Sequence, residues 1–322
     1  MTTFRRASFK AFSAQPEDAL SIEEIALPPL PAGHVRLEMA FAPVNPADIN
    51  VVQGVYGSLP DLPATPGIEG SGRVAEVAPD VNGWEPGDLA VPLDPNGTWT
   101  SHFDVPADAM IKIPADIPLE QASMLRVNPV TAWHLIHTLT QLEPGSWIVQ
   151  NAATSAVGHC VTGLAHTLGI NLLNISRRPS GEPHHITDDE SSLAEAKFIL
   201  GGSPVPLALN AIGGESALRL MNLLTTDGTL VTYGAMARRP IKVPNSLLIF
   251  KNLTLRGFWL TRWLKSAPRH EIDSLFEKLA GYMVDHSLEI PVDTVYPLDQ
   301  IRDAVAHAQQ PGRSGKILIA LS

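Results

Sequence analysis

Short apolar segments separated by proline and glycine mark the first third of the chain. Residues 35–42, 72–77 and 89–91 are such segments, and turn dipeptides such as Pro66-Gly67 lie between them. Residues 8–13 have the same character and are predicted to form the first strand. Many short strands joined by turns of this kind indicate an irregular, β-rich domain.

From Ser146 onward, strand-like apolar segments alternate with longer segments that have helical spacing. The predicted strands are 147–150, 171–176, 206–211, 228–233 and 253–259, and the predicted helices are 157–168, 215–224 and 267–286. Alternation of this kind indicates a mainly parallel sheet covered by helices. The chain is therefore predicted to be an α/β protein, with a β-rich domain beside a doubly wound parallel sheet.

Two further regions suggest where the domains divide. Residues 119–140 carry apolar side chains near helical spacing, interrupted by Pro129, and are interpreted as a bridge between domains. Strands are predicted at 291–296 and 316–321, with a helix at 298–308, and these short strands resemble those of the first third of the chain. With 322 residues the chain is long enough for about two domains. We predict one domain from 1–122 and 291–322, and a second from 123–290.

Composition excludes several classes of function. A net charge of −10 argues against nucleic acid as a partner, because that affinity comes mainly from lysine and arginine. The lone Cys160 excludes a disulfide framework and a cysteine-rich zinc site, so no metal is predicted. No apolar run is long enough to cross a membrane. A soluble, cytoplasmic protein is the simplest expectation, although Arg5 and Arg6 faintly resemble the start of an organelle presequence.

Residues 151–158 follow a predicted strand and open a predicted helix. They include Ala153, Ser155, Ala156, Val157 and Gly158, whose small size lets the backbone approach a pyrophosphate at the positive end of the helix. Because Gly158 is the one glycine here, a tight turn without a ligand remains an equal alternative.

Two arginines favour NADPH as the nucleotide. NAD-binding folds place an acidic residue about 20 positions further on, where it binds the ribose 2′-hydroxyl. This chain has Arg177 and Arg178 at that point, directly after the second predicted strand. A guanidinium can bind a 2′-phosphate that a carboxylate would repel. The alternative is an ordinary exposed arginine pair.

A basic stretch interrupts this acidic chain. Residues 237–270 hold eight of the 23 lysines and arginines and no aspartate or glutamate. Such segregation predicts a positive field for a polyanion, either the cofactor or a coenzyme A ester. A solvated face or a dimer rim is an equal alternative, and the apolar run 247–250 with the strand after it suits a subunit contact.

Tyr56 is the candidate proton donor. Gly54 and Gly57 flank it in a loop that no packing pattern requires. A tyrosine phenol is protonated at neutral pH and can serve as a general acid. The alternative is a partly buried aromatic side chain. The histidines have no metal or triad spacing and are predicted to be surface or packing residues.

Several segments together carry a family resemblance that runs nearly end to end. They are Asn45-Pro46-Ala47-Asp48-Ile49-Asn50, Gln53-Gly54-Val55-Tyr56-Gly57, Gly67-Ile68-Glu69-Gly70, Asn128-Pro129-Val130-Thr131-Ala132, Gln150-Asn151-Ala152-Ala153, Val231-Thr232-Tyr233-Gly234-Ala235-Met236, and the two runs 244–251 and 256–260. With these segments the chain resembles the medium-chain dehydrogenase/reductases. Within them it resembles the zinc-independent, mitochondrial-type trans-2-enoyl-CoA (enoyl thioester) reductases, close to quinone oxidoreductases.

The resemblance implies a GroES-like domain, a Rossmann domain with NADPH bound between them, a homodimer, and a place in fatty acid metabolism. It implies that Tyr56 protonates Cα of an acyl thioester, linked to coenzyme A or an acyl carrier protein, after hydride reaches Cβ. Tyr56, Asn45 and Trp259 are the catalytic candidates. Cofactor contacts are implied for Asn45, Thr131, the turn residues 153 and 155–158, Arg177, Arg178, Tyr233, Gly234, Phe258, Trp259, Leu260 and Lys316.

The chain departs from the family pattern at two places. Ala156 replaces a glycine, and its methyl group is expected to push the pyrophosphate back and weaken cofactor binding. The piece from Arg178 to Pro206 is shorter than usual, which leaves the adenosine contacts open. Two other functions are compatible with these residues: a quinone or activated-alkene reductase of the same fold, and a non-catalytic NADPH-binding sensor or structural protein.

Overall fold

A computed structural model describes residues 2–93, 96–137 and 142–322. Its strands are β1 (Thr3–Ser8), β2 (Ser21–Ala26), β3 (His34–Pro43), β4 (Ser71–Val77), β5 (Leu89–Pro92), β6 (His102–Pro106), β7 (Met110–Lys112), β8 (Trp147–Gln150), β9 (Asn171–Ser176), β10 (His185–Thr187), β11 (Leu207–Asn210), β12 (Thr229–Thr232), β13 (Thr254–Gly257), β14 (Val292–Pro297) and β15 (Lys316–Ala320). Its helices are α1 (Pro16–Ala19), α2 (Pro46–Val52), α3 (Leu119–Ala122), α4 (Asn128–His137), α5 (Ala156–Thr167), α6 (Ser192–Leu200), α7 (Gly214–Leu223), α8 (Asn245–Lys251), α9 (Leu260–Ser266), α10 (Arg269–Val284) and α11 (Ile301–Gln309).

The chain divides into two units. Unit 1 comprises Met1–Val127, Ala267–His286 and Ile290–Ser322, and unit 2 comprises Asn128–Ser266 and Ser287–Glu289. Unit 1 holds a seven-stranded sheet in the order β14-β15-β3-β4-β5-β7, with β6 also paired to β3, and a separate β1-β2 pair. The fully buried side chains of Phe9, Leu37, Trp99 and Ile317 lie in its core.

Unit 2 holds a six-stranded parallel sheet in the order β10-β9-β8-β11-β12-β13. This is the strand order of the doubly wound dinucleotide-binding fold, in which ligands bind outside the carboxyl ends of the strands, where the strand order reverses. That reversal lies between β8 and β11. Val149, Leu173, Ala208 and Leu230, one from each of four neighbouring strands, are fully buried in its core.

Most of the predicted strands form, in both the unit 1 sheet and the unit 2 sheet. The strands at 147–150 and 171–176 have the predicted bounds, those at 72–77, 89–91 and 316–321 differ by one residue at one end, and the one at 35–42 is longer by one residue at each end. The helices 157–168, 215–224 and 267–286 also form, with their ends shifted by one or two residues. A parallel strand between two helical layers is a continuous apolar run, so its pattern has few alternatives.

The predicted first strand at 8–13 is wrong. The strand is β1, residues 3–8, where Arg6 forms an ion pair with Glu23 on the antiparallel neighbour β2. Phe9 is fully buried, yet it forms only an isolated bridge with Ala64. Cross-strand ion pairs therefore support a strand that the apolar pattern alone does not indicate.

The bridge predicted at 119–140 contains two helices, α3 and α4. Pro129 is the second residue of α4, a position where its missing N–H costs little, so it helps to start that helix instead of interrupting it. Residues 138–140 of the prediction lie outside the described residues. Within the described part of the chain, no helix is both long and apolar enough to cross a bilayer.

Candidate active site

The turn between β8 and α5 is built for close backbone approach. Ser155 is the N-cap of α5, and its hydroxyl oxygen accepts a hydrogen bond from the Gly158 amide at 3.1 Å. A Cβ on Gly158 would lie 2.4 Å from the backbone oxygen of Ala153, so only glycine fits there. Ala156 and Val157 form the first turn of α5, where amide groups and the helix dipole favour an anion.

Two asparagines join the carboxyl ends of β8 and β11. The Asn151 side-chain amide donates to the Asn210 side-chain oxygen at 2.8 Å, and its own oxygen accepts from the Ala211 amide at 2.7 Å. All four atoms are buried. This network fixes the point where the strand order reverses, and the sequence analysis did not assign it. A polar residue directly after a buried strand was the available signal.

Arg177 and Arg178 follow the last residue of β9 and are exposed. The strand next to β9 is β8, whose carboxyl end leads into the α5 turn. Among the residues that the structure describes, neither arginine forms an ion pair with a carboxylate. Both guanidinium groups are therefore available to an anionic ligand.

Tyr233 and Gly234 follow the carboxyl end of β12. The Tyr233 amide donates to the Asn210 backbone oxygen at 3.0 Å. A Cβ on Gly234 would lie 3.0 Å from the backbone oxygen of Ala211, so this glycine lets the segment pass close to the end of β11. Burial raises the pKa of the Tyr233 phenol, which keeps it neutral and able to donate a hydrogen bond.

Phe258, Trp259 and Leu260 follow the edge strand β13. Leu260 is buried, whereas the Trp259 side chain is 47% exposed, which is unusual for an indole. The Phe258 ring stacks on the His134 ring of α4, with ring centroids 5.5 Å apart. In unit 2 these three residues, together with Tyr233, belong to segments that leave the sheet at its carboxyl edge.

Helix α4 brings Thr131 to the same region of unit 2. Thr131 is buried and lies one helical turn before His134, whose ring centroid is 4.2 Å from that of Trp263. Burial lowers the pKa of His134 to about 4, so the ring is neutral at physiological pH. His134 is thus a packing residue, as the sequence analysis predicted for the histidines.

In unit 1, Asn45 and Lys316 are brought together although they lie at opposite ends of the chain. Asn45 directly precedes α2, and Lys316 is the first residue of β15. The Lys316 ammonium group donates to the Asn45 side-chain oxygen. Both side chains are buried. The carboxamide of Asn45 therefore has a fixed orientation, with its oxygen directed at a cation.

Two buried carboxylates complete this cluster, and the sequence analysis did not assign either of them. Glu69 accepts from the Asn45 side-chain amide at 2.8 Å, and Asp48 accepts from the Asn45 backbone amide at 2.8 Å. Burial raises the pKa of Glu69, and it raises the pKa of Asp48 to about 7. The Asn-x-x-Asp spacing of an N-cap and its third helical residue was the available signal.

Tyr56 lies in the loop that follows α2, so it and Asn45 flank the same short helix. Its side chain is partly exposed, and the adjacent Val55 is 66% exposed. Gly54 has a φ of +71°, and a Cβ there would lie 3.0 Å from the Phe12 ring, so the loop depends on glycine at this position. The phenol is thus not enclosed in the core of unit 1.

The basic stretch divides into structural and exposed cations. Lys251 donates to the backbone oxygens of Asn222 and Leu224 at the end of α7, and Arg269 donates to the backbone oxygens of Asp108 and Met110. The exposed remainder is Arg238, Arg239, Lys242, Arg256, Arg262 and Lys265. Over residues 2–93, 96–137 and 142–322, no group of three or more histidine, cysteine or acidic side chains could hold a metal ion.

Comparison with known proteins gives two domain matches. Residues 31–115 match the alcohol dehydrogenase GroES-like domain, and residues 183–319 match the model described as zinc-binding dehydrogenase. The structure of an Etr1p complex with NADP and crotonyl-CoA is similar, with a TM-score of 0.88 and 27% identity over 99% of this chain and 100% of that one. A putative NADPH:quinone reductase from Bacillus thuringiensis has a TM-score of 0.91 at 24% identity, over the whole of both chains, and shares the fold.

Curated relatives are similar over almost the whole chain. The mitochondrial enoyl-[acyl-carrier-protein] reductase of Homo sapiens is 37% identical over 98% of this chain and 88% of its own length. That of Arabidopsis thaliana is 35% identical over 89% of this chain and 84% of its own length. Identity at this level over this length shows the family. The chain belongs to the enoyl-[acyl-carrier-protein] reductase family of the medium-chain dehydrogenase/reductases, with a GroES-like and a Rossmann domain.

Proposed function

We propose that this protein reduces the C2=C3 double bond of trans-2-enoyl thioesters with NADPH. The observation that carries the proposal is Tyr56, a partly exposed phenol on a glycine-flanked loop, in a chain 37% identical to enoyl-[acyl-carrier-protein] reductases. The similar Etr1p structure contains NADP and crotonyl-CoA, which supports both the cofactor and the thioester class of substrate.

The residues of unit 2 fit a phosphorylated dinucleotide. The α5 turn, where Gly158 admits no Cβ, would hold the pyrophosphate, and Arg177 with Arg178 would hold the 2′-phosphate. NADPH, when bound, supplies the hydride that reaches Cβ. The remaining residues proposed to contact the cofactor or the acyl group are Asn45, Thr131, Ala153, Ser155, Ala156, Val157, Tyr233, Gly234, Phe258, Trp259, Leu260 and Lys316.

Tyr56 donates its phenolic proton to Cα, so that a hydride and a proton add across the double bond. Because the thioester carbonyl withdraws electrons from Cβ, the acceptor carbon needs no metal ion, and negative charge develops on the thioester oxygen. A hydrogen-bond donor at that oxygen stabilises the transition state. Asn45 and Trp259 are the other proposed catalytic residues, and the hydrogen bonds of Asn45 with Lys316 and Glu69 keep its carboxamide in one orientation.

The decisive experiment measures NADPH oxidation with crotonyl-CoA in the wild type and in Tyr56→Phe. Loss of a positioned acid should lower kcat by about 10²–10⁴-fold, with little change in NADPH affinity. Tyr296→Phe is the matched control, because the hydroxyl of Tyr296 bonds to His307 and has no proposed role. An unchanged kcat in Tyr56→Phe would remove Tyr56 from catalysis.

The same assay distinguishes the other two functions. Turnover of 1,4-benzoquinone without turnover of crotonyl-CoA would assign a quinone or activated-alkene reductase, which needs no dedicated proton donor. NADPH binding without turnover of any acceptor would assign a non-catalytic sensor or structural protein.

We also propose a homodimer formed through the edge of the unit 2 sheet. Strand β13 pairs with β12 on one side, and all four of its residues are exposed. Ile249 and Phe250 on the preceding helix α8 are 69% and 79% exposed. An exposed edge strand beside apolar side chains is a ready surface for pairing with another chain. A related structure from Candida tropicalis is described as an Etr1p/Etr2p heterodimer.

The domain boundaries at 1–122 with 291–322, and 123–290, stay a prediction, and they differ from units 1 and 2 chiefly in placing α10 in the second domain. We also propose a role in fatty acid metabolism. The sequence predicts a cytoplasmic protein, whereas the relatives carry the word mitochondrial in their names. Fractionation of cells that express the full chain distinguishes the two compartments.

A further inference from the structure

The loop between β9 and β10 carries the arginine pair assigned to the 2′-phosphate. It spans residues 177–184, and Arg177 and Arg178 at its start are both exposed. In doubly wound folds, the residues just after the second strand contact the 2′ position of the adenosine ribose. The conformation of this loop therefore decides where the two guanidinium groups are presented.

One side chain bonds to this loop on both sides of the arginines. The Nε2 atom of His185 lies 2.8 Å from the hydroxyl oxygen of Ser176, the residue just before Arg177. The Nδ1 atom of His185 accepts from the Ser180 backbone amide at 3.1 Å and lies 2.8 Å from the Ser180 hydroxyl oxygen. The segment that carries Arg177, Arg178 and Pro179 is thus closed at both ends by a single imidazole ring.

The hydrogen bonds fix the state of that ring. A backbone amide can only donate, so Nδ1 of His185 is an acceptor and the proton of the neutral ring resides on Nε2. Nε2 then donates to Ser176. Burial lowers the pKa of His185, which agrees with a neutral ring at physiological pH. Because both nitrogens are already bonded to serines, the ring has no N–H left for a phosphate.

We propose that His185 is a positioning residue that determines the preference for NADPH over NADH by holding the Arg177–Arg178 segment at the end of β9. This inference rests on the proposed function, since it assumes that these arginines bind the 2′-phosphate. Arginine side chains on an untethered loop lose conformational freedom when they bind a ligand. The His185 bonds restrict the backbone before the ligand arrives. NADH, which has no 2′-phosphate, gains nothing from this arrangement.

The test compares dissociation constants for NADPH and NADH, measured by fluorescence titration of the full-length protein. His185→Phe keeps a ring of similar size but removes both hydrogen bonds. We expect NADPH affinity to fall about tenfold while NADH affinity stays within about twofold. Adenosine 2′-monophosphate should compete with NADPH correspondingly less well in this variant. His184→Asn is the matched control, because His184 is the exposed neighbour and Asn tolerates its φ of +59°.

Two more variants separate positioning from a loss of folding. Ser180→Ala removes the hydroxyl contact with His185 and the hydrogen bond that this hydroxyl accepts from the Glu182 amide at 3.3 Å, and it should lower NADPH affinity about threefold with an unchanged melting temperature. His185→Gln supplies one acceptor and one donor and should recover part of the NADPH preference. These results cannot come from a general destabilisation of unit 2, because NADH binding serves as an internal reference.

An unchanged ratio of the two dissociation constants in His185→Phe would overturn the inference. If the ratio is unchanged because both affinities fall equally, His185 is a general structural residue. A wild type that binds no NADPH would defeat both the inference and the proposed function. A wild type that reduces crotonyl-CoA, while His185→Phe keeps the NADPH preference, would defeat the inference alone.

Discussion

Asn45 is the residue whose surroundings are most specialised. Its side-chain oxygen faces the ammonium group of Lys316, and its amide nitrogen donates to Glu69. A carboxamide can rotate by half a turn at little cost, but here the cation and the carboxylate permit one of the two orientations. Any ligand beside Asn45 therefore meets a fixed donor and acceptor pattern.

The buried carboxyl group of Asp48 should make stability depend on pH. Burial raises its pKa from 3.8 to about 7, so between these values the folded state binds more protons than the unfolded state. Its contribution therefore favours folding at low pH and is lost as the pH rises towards 7. In Asp48→Asn we expect a melting temperature that falls less between about pH 5 and about pH 8 than that of the wild type.

The measurement is a series of thermal melts across that pH range, with Asp61→Asn as an exposed control. The melting temperature of Asp48→Asn minus that of the wild type should increase with pH. The same difference for Asp61→Asn should not change with pH. Parallel curves for Asp48→Asn and the wild type would contradict the buried titration.

The sequence identified two of the four residues in the cluster of Asn45, Asp48, Glu69 and Lys316, but it did not predict their contacts. Asn45 and Lys316 were assigned to the cofactor through the family resemblance, whereas their direct contact follows from the pairing of β15 with β3. Glu69 belongs to the Gly67-Ile68-Glu69-Gly70 segment of the resemblance, which implies no role for it. The burial of a charged side chain depends on segments that are distant along the chain, and no local pattern contains that information.

At the scale of elements, two helical glycines have opposite surroundings and so make a matched pair. A Cβ on Gly281 in α10 would have no heavy atom within 4 Å, whereas one on Gly163 in α5 would lie 2.7 Å from the backbone oxygen of Ser287. Gly281→Ala should stabilise the protein by about 0.4–1 kcal/mol through helix propensity and a less flexible unfolded chain. Gly163→Ala should destabilise it by about 1–3 kcal/mol.

Urea unfolding of both variants measures these differences directly. The prediction fails if Gly281→Ala lowers the midpoint or if Gly163→Ala leaves it unchanged.

The predictability of each element follows from its setting. Strands β8 and β9 lie inside a parallel sheet, and their apolar runs predicted their bounds. Strand β2 consists of half-buried and exposed residues, and its partner β1 is held partly by the ion pair of Arg6 and Glu23. The apolar pattern therefore did not predict β2 and predicted β1 at the wrong residues. The short strand β10 was also missed, and with it the contacts of His185.

At the scale of the whole molecule, the homodimer proposal has a direct test. Phe250→Glu places a charge on the exposed face of α8, and burial of that charge in an interface would cost several kcal/mol. We expect light scattering to show a dimer for the wild type and a monomer for Phe250→Glu. Phe198→Glu is the control, because Phe198 is 88% exposed on α6, away from the β13 edge in the strand order. A wild type that is monomeric at every concentration would contradict the proposal.

The position of β15 has a consequence for how the chain folds during synthesis. Strand β15, residues 316–320, lies between β14 and β3 in the unit 1 sheet. The strands from β3 to β7 all precede residue 113, whereas β14 and β15 come near the end of the chain. The ribosome must therefore complete all six strands of unit 2 before the edge of β3 finds its partner. Until then residues 41–43 of β3 have no partner on this edge, because β6 pairs with residues 34–38 alone, and this short stretch is open to other chains.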